Sequence, residues 1–218
     1  ALIVIIALLA LNLPSVKNFG EIEFWFAMIK IVAICALILV GIVMVTTSFT
    51  APNGSHAQIA NLWEHGGFFP NGVFGFLGAF QIAIFAFMGS ELVGTTAAET
   101  QNPTVTLPKA INSVPVRIII FYVGALLVIL MVNPWNEIDP AKSPFVTIFS
   151  LAGIGIAAHI VNAVVLTSAT SSANSGIFST SRMVYGLAQE GDAPKSLGVL
   201  SAQGVPRNAL FLTSTLLL

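Results

Sequence analysis

Residues 75–96 read GFLGAFQIAIFAFMGSELVGTT. The run is strongly apolar, yet a carboxylate, Glu91, stands between Gly89 and Gly94. Glycine is costly in a helix interior and exposes backbone, so residues 89–94 predict a break partway along a helix. If that helix lies in a membrane, a break bares N–H and C=O groups that can hold the carboxylate and ammonium of a small zwitterion. Irregular backbone at that depth is tolerated only where it is packed in protein or lines a cavity. The glycines by themselves also fit a close-packing helix face, and Glu91 between them favours the cavity. Phe85 and Phe87 beside the break read first as packing residues.

The rest of the chain supplies the membrane. Of 218 residues, 56% are apolar and 8% charged, with a mean hydropathy of +0.93, whereas a soluble domain carries about 25% charge. A formal charge of −1 offers no electrostatic footprint for nucleic acid. The single cysteine, Cys35, lies in an apolar run, which excludes disulfides and thiolate metal sites. Apolar stretches at residues 1–13, 24–45, 73–98, 118–132 and 154–187, with another beginning at 209, read as spans. Both end stretches are too short to cross a bilayer core, which needs about 20 residues. The chain is therefore expected to be a fragment, a single transmembrane domain cut inside one span at each end. Residues 144–151 are expected to form a short surface helix.

Cations set the orientation. Lys17, Lys109, Arg117, Arg182, Lys195 and Arg207 lie in or beside the alternate connections 14–23, 99–117 and 182–208, while the opposite side holds only Lys142. The positive-inside rule makes the first set cytoplasmic and puts the loop bearing His56 and His65 outside.

Lys30 is the exception, about a turn and a half inside the second span. An ammonium in hydrocarbon costs at least about 2.5 kcal/mol. Either its stem reaches the headgroups, or it faces the bundle as a fixed or protonatable cation. On the fifth span Ser168, Ser172, Ser175, Ser179 and Arg182 share one helical stripe, bordered by Thr167, Ser171 and Asn174. Such a stripe glues helices together or offers oxygens to a cation, either sodium or the Lys30 ammonium. Neither a metal-ligand cluster, a nucleophile elbow nor a phosphate loop appears, so neither an enzyme nor a cofactor is expected.

Several stretches resemble bacterial amino-acid permeases of the amino acid–polyamine–organocation superfamily. Asn12-Leu13, Val16-Lys17, Phe19-Gly20-Glu21 and the run from Glu23 through Lys30 are similar to that family's junction of fourth and fifth spans. Phe87-Met88-Gly89-Ser90-Glu91 with Leu92 to Thr100, then Asn102-Pro103 and Leu107-Pro108-Lys109, resemble its sixth span and following loop. Ser171-Ser172-Ala173-Asn174-Ser175-Gly176, Ser179-Thr180-Ser181-Arg182 and Tyr185-Gly186-Leu187 resemble its eighth. Within the family the likeness is greatest to D-serine/D-alanine/glycine permeases.

The resemblance implies an all-α, polytopic membrane helix bundle, here a fragment of an inverted-repeat (LeuT-like) transporter fold running from a partial fourth span to a partial ninth. It implies an importer of small neutral amino acids by proton symport, in the inner membrane, with an amino acid, protons and lipid as partners. It maps substrate binding onto Phe85, Phe87, Met88, Gly89 and Ser90, with Phe85 as an aromatic gate. Proton coupling maps onto Lys30 and Glu91, and Ser175 and Ser179 become neighbours of the cation. Alternatives are a related permease for proline, 4-aminobutyrate or an aromatic amino acid, or a membrane scaffold that transports nothing.

Overall fold

The structure, a computed structural model, describes residues 2–52, 54–85, 87–89, 92–95, 100 and 102–216, with backbone only at residues 2 and 93. In chain order the α-helices are α1 (Leu2–Asn12), α2 (Val16–Thr46), α3 (Gly72–Phe85), α4 (Leu92–Thr95), α5 (Pro103–Arg117), α6 (Gly124–Val132), α7 (Pro144–Leu151), α8 (Ala157–Glu190) and α9 (Arg207–Thr215). No strand occurs among the described residues. Among the described residues two helical stretches are long and apolar enough to cross a bilayer, Val16–Thr46 and Pro103–Val132.

Helix starts differ from the apolar limits, and local chemistry explains why. Apolar runs mark what lipid tolerates, whereas caps mark where a helix begins. Pro14 and Ser15 precede α2, and the Ser15 hydroxyl accepts the Asn18 N–H at 3.2 Å. That cap carries the helix back through Lys17, Glu21 and Glu23, eight residues before the apolar run. At about 1.5 Å per residue, the 31 residues of α2 extend about 46 Å, more than the roughly 30 Å of a hydrocarbon core.

The fourth span likewise begins at Pro103 rather than at residue 118. Asn102 turns the chain with φ 50° and accepts the Thr106 N–H at 3.0 Å, and Pro103 supplies the fixed φ suited to a first helical position. Pro115 lacks the N–H that would close the bond to Ile111, and a π-helical segment, Ile118–Val123, then joins α5 to α6. A helix forms at Pro144–Leu151 as expected, but it is not a surface helix. Ile148 and Phe149 are 0% and 7% exposed, packed in an apolar core.

The described chain divides into two compact units. Unit 1 comprises residues 1–30, 91–110 and 165–218. Its core gathers Leu8 from α1, Ile177 from α8, and Val205 and Leu210 at the start of α9. Unit 2 comprises residues 31–90 and 111–164, around Leu37, Met44, Ala125, Ile129, Val132, Ile148, Phe149, Ala157 and Val161. On α6 the buried residues Ala125, Val128, Ile129 and Val132 recur at the spacing of a single helical face.

In unit 2 the 47–71 loop is fastened to the end of α6. Asn61 donates to the carbonyl oxygens of His56 and Met131, each at 2.8 Å, and Trp135 Nε1 donates to the His65 carbonyl at 2.9 Å. In the connection before α7, the Ala141 backbone N–H and the Lys142 side chain hold the Asp139 carboxyl below its ordinary range.

Gly41 is buried on α2 where it meets α6. A Cβ there would overlap Val128 Cγ1 outright, so glycine is required for the close approach. Gly41→Leu should lower the thermal midpoint of the detergent-solubilised full-length protein, by the equivalent of about 1–3 kcal/mol for overpacking. An unchanged midpoint in a thermal-shift assay would show that the two helices separate without cost.

Candidate functional site

The 75–96 stretch is helical only in part. Helix α3 ends at Phe85, and turn bonds follow from the Phe87 N–H to the Ile84 carbonyl at 3.1 Å and from the Met88 N–H to the Phe85 carbonyl at 3.4 Å. Gly89 has φ +97°, in the region L-residues avoid. One helical turn, α4, then occupies Leu92–Thr95. The interruption thus begins a few residues ahead of the expected position. Phe85 is 71% exposed, Phe87 and Met88 are also exposed, and no residue of α3 is buried. Phe87 stacks on Tyr122 of the π segment, with centroids 6.2 Å apart and planes within 13°. Two of the expected site residues, Ser90 and Glu91, lie outside the described residues.

Unit 1 holds a polar cluster built from three helices. Glu23 and Lys30 are seven residues apart on α2, which puts them on one face. Ser171 and Asn174, three apart on α8, meet that face. Lys30 Nζ donates to Ser171 Oγ at 2.8 Å, and the Ser171 hydroxyl donates in turn to Glu23 Oε1. Asn174 Nδ2 donates to Glu23 Oε2 at 3.3 Å, and Asn12 Nδ2 at the end of α1 donates to Asn174 Oδ1 at 2.7 Å. Both chains of donors converge on one carboxylate, whose two oxygens accept them. Ser171 and Asn174 are each 1% exposed, so each must be satisfied from within the protein. Asn12 Oδ1 is buried and finds no donor among the described residues.

Further along the same face, Ser179 accepts from Thr95 Oγ1 at 3.0 Å, which ties the turn after the break to α8. Between these groups Phe178 stacks on Phe19 at 3.8 Å, and the Arg182 guanidinium lies 3.3 Å from the Phe178 ring centroid, close enough for a cation–π contact.

The structure therefore brings Lys30 to α8, but to Ser171 rather than to Ser175 or Ser179. The face that α8 presents carries Ser171, Asn174 and Phe178, about one residue around from the stripe read in the sequence. Ser172, a member of that stripe, is exposed and bonds its own helix at the Ser168 carbonyl, 3.1 Å away. Glu23 was missed altogether as a site residue. Its seven-residue spacing from Lys30 was the available signal, masked because Glu23 falls before the apolar run.

Over residues 1–218 the chain matches the Amino acid permease family. It is 60% identical to the D-serine/D-alanine/glycine transporter of Escherichia coli K12 over 218 residues, all of this chain and 46% of that protein. Identity is 56% over 217 residues to the amino-acid permease AapA of Bacillus subtilis, covering 47% of it. It is 49% over 217 residues to the DL-alanine permease SerP2 of Lactococcus lactis subsp. cremoris, again covering 47%. The chain spans about half the length of the curated relatives it matches. With its family match running from end to end, the chain belongs to the amino acid permease family.

Proposed function

We propose that this chain is the middle portion, one transmembrane domain fragment, of a proton-coupled importer of small neutral amino acids of the glycine, D-alanine and D-serine class, working in a bacterial inner membrane. The observation that carries the reading is the interruption of an apolar helix after Phe85, with Gly89 in a left-handed conformation. An interrupted helix of this kind suits the ammonium and carboxylate of an amino acid. The substrate class draws on the name of the 60% identical relative. In this reading Phe85, Phe87, Met88, Gly89 and Ser90 contact substrate, and Glu91 and Lys30 handle the proton. On α8 the hydrogen-bond partner of the cation is Ser171, in place of the Ser175 and Ser179 expected from the sequence.

Coupling requires a group whose charge changes during alternating access. Lys30 suits the task because it sets an ionisable amine on an apolar helix opposite an oxygen of α8. The oxygen at hand is Ser171 Oγ.

Two outcomes are expected of the full-length protein in proteoliposomes loaded with radiolabelled glycine or D-alanine. Lys30→Ala abolishes uptake driven by an inward proton gradient while the protein still reaches the membrane. Undiminished gradient-driven uptake in that variant removes the coupling assignment. Gly89→Ala raises the half-saturation concentration by several-fold, because forcing an L-residue into that φ costs about 1–2 kcal/mol. Unchanged affinity would place the substrate elsewhere.

A further inference from the structure

Hydrogen bonds in the α1–α2–α8 cluster have a direction. Lys30 donates to Ser171, and Ser171 donates to Glu23, so an ammonium, a hydroxyl and a carboxylate stand in series. At about 1.5 Å per residue Glu23 lies about 10 Å along α2 from Lys30, toward the end bearing Lys17. Ser171 is almost fully buried, so bulk water does not reach the bridging oxygen.

We propose that Glu23 is the acceptor through which Lys30 discharges its proton, with the Ser171 hydroxyl as the bridge. This rests on the reading of Lys30 as the coupling cation. In the step the Lys30 Nζ–H bond breaks and Ser171 Oγ gains that proton. The original Ser171 Oγ–H breaks in turn, and its proton forms a bond to Glu23 Oε1. A neutral amine, an intact hydroxyl and a neutral acid remain. The ammonium–carboxylate pair and the amine–acid pair both carry zero net charge, so the transfer leaves no unpaired charge in a poorly solvated site. The acid then releases the proton toward the Lys17 end of α2. Asn174 and, behind it, Asn12 hold the second Glu23 oxygen, which keeps Oε1 on the serine.

Among the described residues of these three helices, few other charges lie near the pair. Helix α1 has no ionisable side chain. On α2 the nearest are Lys17 and Glu21, both exposed, and on α8 the nearest is Arg182, engaged with Phe178.

The experiment uses the full-length protein in proteoliposomes with radiolabelled glycine and compares accumulation driven by a proton gradient with gradient-free exchange. Glu23→Gln and Ser171→Ala should each lower the ratio of accumulation to exchange by about tenfold, the worth of one hydrogen bond to a charged group. Ser171→Thr, which keeps the hydroxyl, should recover much of it. If Glu23→Gln does not reach the membrane, the Ser171 pair decides. Wild-type ratios in Glu23→Gln and Ser171→Ala overturn the proposal, as does a parallel fall of accumulation and exchange, which marks a merely structural role. Lys30→Ala run alongside separates the two ideas. Coupling lost there but kept in the Glu23 and Ser171 variants removes the proton bridge alone, and coupling kept in Lys30→Ala removes the reading beneath it.

Discussion

A cation within an apolar helix must be answered by oxygen, and much of unit 1 follows from that requirement. Leaving Lys30 unanswered would cost at least about 2.5 kcal/mol, and burying an ion pair is itself favourable only when the remaining lone pairs and protons are satisfied. The chain answers the ammonium and both carboxylate oxygens with short side chains. Ser171 stands between the ammonium and the carboxylate, Asn174 occupies the second carboxylate oxygen, and Asn12 occupies Asn174. Removing any one member leaves a buried polar atom without its partner, and this penalty exceeds the net worth of the bond it loses. The cluster therefore fixes the register of α2 against α8 and holds the end of α1 to α8.

The interruption after Phe85 obeys the same rule from the other side. Where backbone N–H and C=O groups are not closed into a helix, something else must meet them. Here the chain resumes as a single turn whose Thr95 hydroxyl reaches Ser179. Ser179 sits eight residues beyond Ser171 on α8, just over two helical turns along. One broad face of α8 thus meets the Lys30–Glu23 cluster at one level and the segment after the break at another.

How much of this was legible in the sequence varied with the kind of signal. Membrane character, the α2 and α6 spans, the family and the broken 75–96 stretch were readable because apolarity, glycine and recurring motifs are local. The starts of α2 and α5 were not, because polar first turns carry no apolar signal. Ser15 and Asn102-Pro103 were the better markers. Lys30 could be singled out as costly, but its partner could not be read. A helical stripe is inferred from one helix at a time, whereas the choice of Ser171 over Ser175 depends on how α8 is rotated against α2. The burial of α7 was misjudged for a similar reason, since eight residues on a loop give no hint that Ile148 faces a core formed by distant segments.

Hydroxyls in these helices have two fates. Thr46, Thr47, Thr170, Ser172, Thr213 and Thr215 bond carbonyls three or four residues back in their own helices. That local bond satisfies the group without a neighbour and carries no positional information. Ser171 and Ser179 instead reach other elements. A side chain that forgoes the inexpensive local bond for one across helices ties its energy to how those helices sit. Any rearrangement of α2 or α4 against α8 must then break or exchange it. An alternating-access cycle needs contacts of this kind, because a proton or substrate shifts an equilibrium only through bonds that differ between the two states.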